Sequence, residues 1–407
     1  MAKKKFDFVV FGATSFVGQI LVRYLWLTHG HANQLTWAIA GRDAQKLEGL
    51  KQSLGEQASG LPVIHANAGD LESLAALCDQ TRVIVSTVGP YALYGSELVR
   101  LCAERGVDYC DLTGEVQWID RMIKAHEKTA QASGARIVHC CGFDSIPSDL
   151  GVYFLQEAAK TQFGEHCETV AMRVRKLKGE FSGGTVASMI NVTREVTANP
   201  GLAKSLANPY LLCPEKLAAR QPNVKFAEFD KTANSWLAPF VMAGINTRVV
   251  HRSNAVMQYA YGKNFKYDEA MMTGSGVRGR LTAMAVASAL GGFLIGAAIP
   301  PTRWVLERFV VPKPGEGPSE QSQQKGSYDL RFFGRTSKGQ SLVARVTGDM
   351  DPGYGSTAKM LGEAVACLAM DVDGHPGGFW TPASIFGDKL IERLQSRAGL
   401  TFNLIDG

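Results

Sequence analysis

Short apolar runs alternate with helix-like segments through the first 141 residues of the chain. The runs have the length of buried strands, and the segments between them carry apolar residues at the three- and four-residue spacing of an amphipathic helix. The predicted strands are Phe6–Phe11, Leu35–Ala40, Pro62–His65, Val83–Val88, Tyr109–Leu112 and Arg136–Cys141. The predicted helices are Ser15–Thr28, Asp43–Ser53, Leu71–Cys78, Ser96–Arg105 and Gln117–Ala132. This alternation predicts an α/β fold with a doubly wound parallel sheet of the Rossmann type.

The pattern changes after the segment GFDSIPSD. A predicted helix at Asp149–Gln162 precedes a predicted strand, ETVAMRVRKLKGEF, and the segment SGGT (Ser182–Thr185) then opens another helix. Strand-like runs follow around Val249–Tyr261, and the segments SYDLRFFGRT and QSLVARVTGD form a predicted hairpin. Because strands that follow strands are typical of an antiparallel sheet, we expect a second, mixed α/β domain with a largely antiparallel sheet.

A glycine-bearing loop follows the first predicted strand. Its segment FGATSFVG places Gly12 at the turn, Gly18 one turn into the helix, and Ser15 where dinucleotide-binding loops usually have glycine. Gly12 permits the tight turn, and Gly18 lets the helix pack closely against the strand. The backbone amides that would then point at a pyrophosphate, at the positive end of the helix dipole, are those of Thr14, Ser15, Phe16 and Val17. Since the loop stands inside the strand–helix alternation, it predicts a dinucleotide site.

The end of the second predicted strand indicates which nucleotide binds. NAD sites usually carry an acid there to hold the ribose 2′-hydroxyl, whereas a guanidinium pairs well with the 2′-phosphate of NADP. The segment AIAGRD places Arg42 at this turn, with Asp43 next to it. Arg42 favours NADP (NADPH). Asp43 can cap the following helix, or it can reach the ribose and leave NAD open.

Residues at the ends of the fourth and sixth strands are candidates for the reaction, because a ligand crevice forms at the carboxyl edge of such a sheet. In STVGPYALYG, Gly89 leaves room for the nicotinamide, and Tyr91 and Tyr94 offer hydroxyls beside it. Asp144, in GFDS, can orient a substrate or relay a proton. Loop packing is the alternative role for the tyrosines, and helix capping is the alternative for Asp144. The catalytic residues therefore stay open, with Tyr91 and Asp144 as candidates.

Three parts follow from these patterns. We predict an NADP-binding Rossmann domain at 1–145 and a substrate and dimerisation domain at 146–370. A C-terminal helical segment covers 371–407, and packing back on the first domain is one arrangement for it. The stretch Val311–Ser327, rich in proline, glycine and polar residues, predicts an exposed loop.

Composition excludes several classes of protein. The chain has 407 residues, 45% apolar and 20% charged, which is ordinary for a globular protein. The net charge of +5 is mild and the basic residues are scattered, so a nucleic-acid partner has little support. The eight cysteines lack CxxC spacing, which favours a reduced, intracellular chain. The eight histidines show no metal-like spacing, and we expect no bound metal.

One uncharged apolar run, Leu281–Pro301, lies between Arg278 and Arg303. Its helical part, 281–299, is a buried core or homodimer helix on one interpretation, and a membrane-contacting element that receives a lipid on the other. Alanine, glycine and hydroxyl residues insert weakly into bilayers, so a true membrane span is disfavoured. We expect a cytoplasmic protein that contacts the inner face of the plasma membrane peripherally.

Motifs along nearly the whole chain resemble a single family. The segments FGATSFVG, AGR, STVGPYALYG, CAERGVDYCDLTGE, CCGFDSIPSDLG, SGGT, DPGYGSTAKMLGEA and GFWTPASIFGDKLIERLQSRAGL are similar to those of saccharopine dehydrogenase-like oxidoreductases, and in particular of bacterial trans-acting enoyl reductases. Ser15 departs from the family, which more often has glycine there. The resemblance implies an NADP-type Rossmann domain and a mixed second domain.

The resemblance also implies an activity. It points to NADPH-dependent reduction of an enoyl or related unsaturated group on a lipid-like substrate. One alternative is an imine or amino-acid oxidoreductase similar to saccharopine reductase, which would need arginines such as Arg173, Arg175 and Arg248 around the crevice. Another is a non-catalytic, membrane-associated protein that binds NADP.

Overall fold

A computed structural model describes residues 4–30, 35–179, 183–309 and 317–406. Its first sheet, sheet A, is wholly parallel, with the strand order β13-β6-β5-β4-β1-β2-β3. Its strands are β1 (Phe6–Phe11), β2 (Trp37–Gly41), β3 (Val63–His65), β4 (Thr81–Ser86), β5 (Asp108–Asp111), β6 (Arg136–Val138) and β13 (Gly378–Trp380). The order reverses between β1 and β4, where a doubly wound sheet opens its ligand crevice.

Helices connect the strands of sheet A as the sequence predicts. They are α1 (Phe16–His29), α2 (Ala44–Ser53), α3 (Leu71–Gln80), α4 (Tyr91–Tyr94), α5 (Ser96–Arg105) and α6 (Val116–Ser133). The predicted α/β class with a parallel Rossmann-type sheet is confirmed. The fourth strand stops at Ser86, two residues earlier than predicted, because the chain turns there toward the helix that begins at Tyr91.

The second sheet, sheet B, is mixed and has the strand order β14-β12-β11-β7-β10-β9-β8. Its strands are β7 (Cys167–Lys178), β8 (Glu228–Asp230), β9 (Ser235–Pro239), β10 (Lys266–Gly274), β11 (Ser327–Thr336), β12 (Ser341–Gly348) and β14 (Leu400–Ile405). The pair β7–β10 is parallel and the other neighbours are antiparallel. The predicted hairpin is β11–β12, paired from Tyr328 opposite Gly348 to Arg335 opposite Ser341.

The helices of the second half lie around sheet B and the interface with sheet A. They are α7 (Ile146–Phe163), α8 (Gly183–Ala198), α9 (Pro200–Leu206), α10 (Ala243–Val256), α11 (Gly276–Ala298), α12 (Pro300–Phe309), α13 (Glu320–Gln324), α14 (Gly355–Met370), α15 (Pro382–Phe386) and α16 (Asp388–Arg397). Of the segment SGGT, Ser182 lies outside the described residues, and α8 begins at Gly183. In the predicted loop 311–327, residues 311–316 also lie outside them, and α13 occupies 320–324.

Two predictions for the second half are wrong. The strand-like run around Val249–Tyr261 begins within α10, where His251, Arg252 and Ser253 are buried together with the apolar residues. Since this helix is enclosed on all sides, it lacks the polar face by which a sequence reveals helical periodicity. The predicted C-terminal helical segment, 371–407, is not wholly helical: it contains α15 and α16, which are separated at Gly387 with a φ of +49°, and the strands β13 and β14.

The C-terminal segment completes both sheets. Strand β13 pairs with β6 at one edge of sheet A, and β14 pairs with β12 at one edge of sheet B. Helix α14 is buried along almost its whole length and packs against α1 and β4. Both sheets therefore share one apolar core, and the division of the chain at residues 145 and 370 stays a prediction.

Helix α11 is the apolar run 281–299 with five further residues at its start. Its small residues Gly279, Ala283 and Ala287 are buried and the helix packs against β9 and β10, whereas Leu281 and Ile295 are exposed. By length and composition, it is the helix among the described residues that qualifies for crossing a membrane. The interpretation as a core helix is wrong, because most of its surface faces away from the described chain.

Candidate active site

A cavity of about 1200 Å³ runs along the carboxyl edge of sheet A and continues between the two halves of the chain. Its first half is lined by the segments that follow β1, β2, β3, β4, β5 and β6. The sequence-predicted residues among its lining are Gly12, Thr14, Ser15, Phe16, Val17, Arg42, Gly89, Tyr91, Tyr94 and Asp144. The topology thus brings the predicted cofactor and reaction residues to one cavity. Gly18, which is buried, lies just behind it.

The two glycines of the loop are required by close approaches of the backbone. Gly12 has a φ of +85°, and a Cβ there would lie 2.6 Å from Val88 Cγ2. A Cβ on Gly18 would lie 2.3 Å from the carbonyl oxygen of Gly12. Neither contact is possible for a side-chain carbon, so the tight turn and the close packing of α1 on β1 both depend on glycine.

Ser15 ties the loop together through its hydroxyl. Its Oγ accepts a hydrogen bond from the amide of Gly18 (2.9 Å), which caps α1, and lies 2.9 Å from Thr87 Oγ1. Thr87 in turn donates to the carbonyl of Gly12 (2.9 Å). Among the described residues, the amides of Phe16 and Val17 have no such partner. Donors of this kind at a helix N-terminus are suited to a pyrophosphate.

Arg42 stands at the end of β2, exposed toward the cavity. The neighbouring Asp43 caps α2, because its Oδ1 accepts a hydrogen bond from the amide of Lys46 (3.0 Å). Lys46 also lines the cavity, one turn from Arg42. Two cations, Arg42 and Lys46, therefore border this part of the cavity, and the acid beside them, Asp43, is engaged in capping α2. This arrangement fits a 2′-phosphate better than a 2′-hydroxyl.

The Tyr91 hydroxyl forms a hydrogen bond with the end of β4. It donates to the carbonyl of Ser86 (2.9 Å), and the side chain is 4% exposed. Burial raises its pKa well above the usual value, and the Asp111 carboxylate adds to the rise. Tyr91 thus lines the cavity with its ring, while its hydroxyl positions the end of β4.

Glu115 holds the start of the helix that carries Tyr91. Its carboxylate oxygens accept hydrogen bonds from the amides of Tyr91 (2.7 Å) and Ala92 (3.0 Å), and Ser188 Oγ donates to it from α8 (3.1 Å). Burial raises the pKa of Glu115. This carboxylate therefore fixes the cavity wall on both sides and is not itself in the lining.

Asp144 is the acid that lines the cavity near the ends of β5 and β6. Its side chain does not cap α7, whose N-cap residue is Ser145 and which has no side-chain cap. Gly114 lies next to it, since a Cβ on that glycine would be 3.6 Å from Asp144 Oδ1. Burial, with a smaller contribution from the Asp111 carboxylate, raises the pKa of Asp144 to about 7. A carboxyl group with this pKa can hold and release a proton near neutral pH.

The far half of the cavity is largely apolar. The residues that line it from α8, the end of α9, the start of α10 and α11 include Ala187, Met189, Val192, Leu206, Val241, Met242, Ile245 and Leu294. The polar groups among them are few, chiefly Ser188, Thr193 and Arg248. A chamber of this kind binds apolar chains by burying their surface.

Of the three arginines considered for an amino-acid substrate, Arg248 alone lines the cavity. Its guanidinium donates to the backbone carbonyls of Gly244 and Leu206. Arg173 lies elsewhere, in ion pairs with Asp230 and Asp268 at 2.8 Å each. An array of cations for substrate carboxylates is thus missing from the described lining.

The cavity residues fit NADP, and comparison with known proteins agrees. Residues 8–138 match the family model of the saccharopine dehydrogenase NADP-binding domain. A Mycobacterium tuberculosis protein classed with the trans-acting enoyl reductases is 40% identical over 96% of both chains. The trans-acting enoyl reductase of Mycobacterium bovis is 36% identical over 97% of this chain and 96% of its own.

The chain belongs to the trans-acting enoyl reductases of the saccharopine dehydrogenase-like family. The resemblance noted in the sequence is confirmed, as is NADP(H) as the cofactor of this NAD(P)-dependent oxidoreductase. Apo saccharopine dehydrogenase from Saccharomyces cerevisiae, 13% identical, superposes with a TM-score of 0.50 over 98% of this chain and 99% of its own, which shows a shared fold.

Several residues of this enoyl reductase family member were not found from the sequence. Lys46 looks like an ordinary surface residue of α2, and only the fold places it beside Arg42. Glu115 stands in the motif CAERGVDYCDLTGE, but nothing in that motif shows that its partners are amides of a different helix, α4. The apolar residues of α8 lie far along the chain from the glycine loop, and no local motif marks them.

Proposed function

We propose that this protein reduces the carbon–carbon double bond of an enoyl group on a lipid-like acyl chain, with NADPH as the reductant. The observation that carries the proposal is the joining of an NADP-type crevice and an apolar chamber in one cavity. The names of the relatives, trans-acting enoyl reductases, support the same reaction.

NADPH, when bound, supplies the hydride. The loop from Gly12 to Gly18 holds the pyrophosphate, and Arg42 with Lys46 pairs with the 2′-phosphate. Gly89, at the end of β4, leaves space for the nicotinamide. The protein contributes orientation and electrostatics, which is most of what hydride transfer needs.

Asp144 is the proton donor in this proposal. Hydride addition to the β-carbon of an enoyl thioester leaves negative charge on the α-carbon and the thioester oxygen, and a proton must arrive there. Asp144 borders the cavity next to Gly114, on the side of the β5 and β6 ends. Its raised pKa keeps a large fraction protonated at neutral pH, as a general acid requires. Tyr91 is a positioning residue in this proposal, because its hydroxyl donates a hydrogen bond to the carbonyl of Ser86.

The decisive experiment is a substrate panel followed by the absorbance of NADPH. Enoyl thioesters of increasing chain length are compared with a 2-oxo acid plus an amine. We expect turnover of the enoyl thioesters, with KM falling as the chain lengthens because the apolar chamber buries more of it. Turnover of the imine mixture alone would overturn the proposal in favour of an amino-acid oxidoreductase. Tight NADPH binding without turnover of either would favour a non-catalytic protein.

We propose a cytoplasmic location for this reaction, where NADPH is available. A homodimer and a peripheral contact with the membrane stay predictions. The exposed apolar helix α11 is the feature on which both depend.

A further inference from the structure

Helices α11 and α12 form an exposed apolar surface, which we call the apolar arm (Gly276–Phe309). Ile295 is 65% exposed and Trp304 is 61% exposed. The large apolar side chains that the arm presents to the exterior are Val277, Leu281, Met284, Leu294, Ile295, Ile299, Trp304 and Val305. Side chains of this size are normally buried, and a continuous group of them marks an interaction surface.

The arm is anchored to the fold by its inner face. The buried residues Gly279, Ala283 and Ala287 repeat every four positions, and the helix packs against β9, β10 and α8. The Arg280 guanidinium lies over the ring of Trp236 on β9, 5.4 Å from its centroid. Because one side of α11 packs against the rest of the protein, a partner would contact the opposite side along the length of the helix, as a membrane does with an interfacial helix.

The charges on the arm point to an anionic partner. Arg278 and Arg280 stand near its beginning and Arg303 and Arg308 near its end, and the sequence 276–309 holds one acid, Glu307, against these four arginines. A two-fold antiparallel pairing of α11 with a second copy would bring the arginines at the beginning of one arm toward those at the end of the other, with Glu307 as the single acid of each arm to offset them. An anionic bilayer offers both kinds of contact: its acyl chains bury the apolar side chains, and its headgroups pair with the arginines.

The arm is also continuous with the cavity. Leu294 lines the cavity and is 44% exposed at the same time. Helix α8, which contributes Met189 and Val192 to the apolar chamber, packs against α11. The arm therefore borders the apolar chamber at Leu294.

We propose that the apolar arm lies on an anionic bilayer and that an acyl substrate passes from the bilayer, beside Leu294, into the cavity. The substrate half of this statement rests on the proposed enoyl reduction, whereas the membrane contact does not. The acyl chain then moves between two apolar environments and is not exposed to water on the way.

Flotation with vesicles tests the contact. Full-length protein is mixed with phosphatidylcholine vesicles or with equimolar phosphatidylcholine and phosphatidylglycerol vesicles. We expect flotation with the anionic vesicles, and at least about a tenfold weaker partition for Ile295→Glu, since burying an isoleucine is worth more than this factor. Leu27→Glu is the matched control, because Leu27 on α1 is 84% exposed outside the arm. It should float like the wild type.

The outcomes separate this inference from the proposed function. Wild type that does not float, or Ile295→Glu that floats as well as the wild type, overturns the membrane contact even if soluble enoyl thioesters are reduced. A wild-type dimer that Ile295→Glu converts to a folded monomer, without flotation, overturns it in favour of a second copy. Flotation without reduction of any enoyl substrate leaves the contact standing and removes the proposed function.

A kinetic comparison tests the entry of the substrate from the bilayer. Ile295→Glu should raise KM for an enoyl substrate embedded in vesicles and leave KM for a short, soluble one unchanged. Equal KM values of the wild type and the variant for the embedded substrate overturn the entry route.

Discussion

Single side chains determine how the phosphate loop is held and which nucleotide it selects. Ser15 stands where the family more often has glycine, yet its hydroxyl caps α1 and contacts Thr87, so the loop gains a cross-link that glycine lacks. Arg42 and Lys46 stand at the other end of the cofactor crevice, while Asp43 is occupied with capping. The preference for NADPH over NADH should thus depend on a few cations.

Replacing Arg42 by alanine tests this preference. The variant should lose about 1–3 kcal/mol of NADPH binding free energy, the value of a charge-assisted hydrogen bond, and bind NADH almost as the wild type does. Calorimetric titration with both nucleotides measures the difference. Lys51→Ala, on the same helix and paired with Glu48, is the control and should change neither affinity. Equal losses for NADPH and NADH would contradict the role of Arg42.

Asp144 should give the reaction a pH dependence. Because its pKa is raised to about 7, the carboxyl group loses its proton as pH rises through that value, and a general acid then stops working. The rate with an enoyl thioester should be high below about pH 7 and fall above it. Asp144→Asn should lower kcat and remove this fall, with NADPH affinity unchanged in a fluorescence titration. A variant that keeps the wild-type pH profile would exclude Asp144 as the donor.

Sequence alone could identify residues whose role depends on local geometry. Gly12 and Gly18 belong to one turn, and Arg42 follows a strand end, so the motif carries their positions. Asp144 was found because the end of a strand in a parallel sheet borders the crevice, but its freedom from capping required the coordinates. The position of Lys46 depends on how α2 lies against the sheet, which no short motif encodes.

At the level of elements, the packing of α1 on β1 is the feature most sensitive to substitution. Gly18→Ala would place a carbon 2.3 Å from the Gly12 carbonyl, so the loop must shift and the free amides turn away from the pyrophosphate. We expect at least about a tenfold loss of NADPH affinity together with a lower Tm. Gly49→Ala, within α2, meets nothing within 4 Å and should raise stability by up to about 1 kcal/mol without changing NADPH affinity. NADPH fluorescence and thermal unfolding of both variants make the comparison.

The predicted elements were most accurate where one face of each is solvated. The helices α1, α2, α3, α5 and α6 and the hairpin β11–β12 show their period in the sequence, and their predicted bounds are close to the observed ones, whereas the four-residue helix α4 was not predicted. Helix α10 was taken for strand because it buries polar residues as well as apolar ones. Strand β14 was included in the predicted C-terminal helical segment, since the turn at Ala398–Gly399 is too short to interrupt the apolar pattern.

At the scale of the whole molecule, Arg252 connects elements from both halves. It is 5% exposed on α10, and it donates to the carbonyls of Leu212 and Phe379 and to Glu127 on α6. Arg252→Met should lower the free energy of unfolding by about 1–3 kcal/mol for each buried carbonyl left unpaired. Urea denaturation measures the loss. Arg121→Met removes an exposed ion pair with Glu195 and should cost no more than about 1 kcal/mol. Similar losses of unfolding free energy in the two variants would show that the buried hydrogen bonds of Arg252 do not stabilise the fold more than an exposed ion pair does.

Because the last residues of the chain supply an edge strand to each sheet, the order of synthesis on the ribosome matters. Strand β6 lacks its outer neighbour until β13 emerges at residue 380, and β12 lacks its own until β14 emerges at residue 405. During synthesis β6 therefore lacks its neighbour from residue 138 to residue 380, and β12 lacks its own from residue 348 to residue 405. Unpaired strand edges pair readily with other chains. A chain that stops before residue 378 would leave the buried strand β6 and the hairpin strand β12 as the edges of their sheets, so it should yield an aggregating product and not a shortened enzyme.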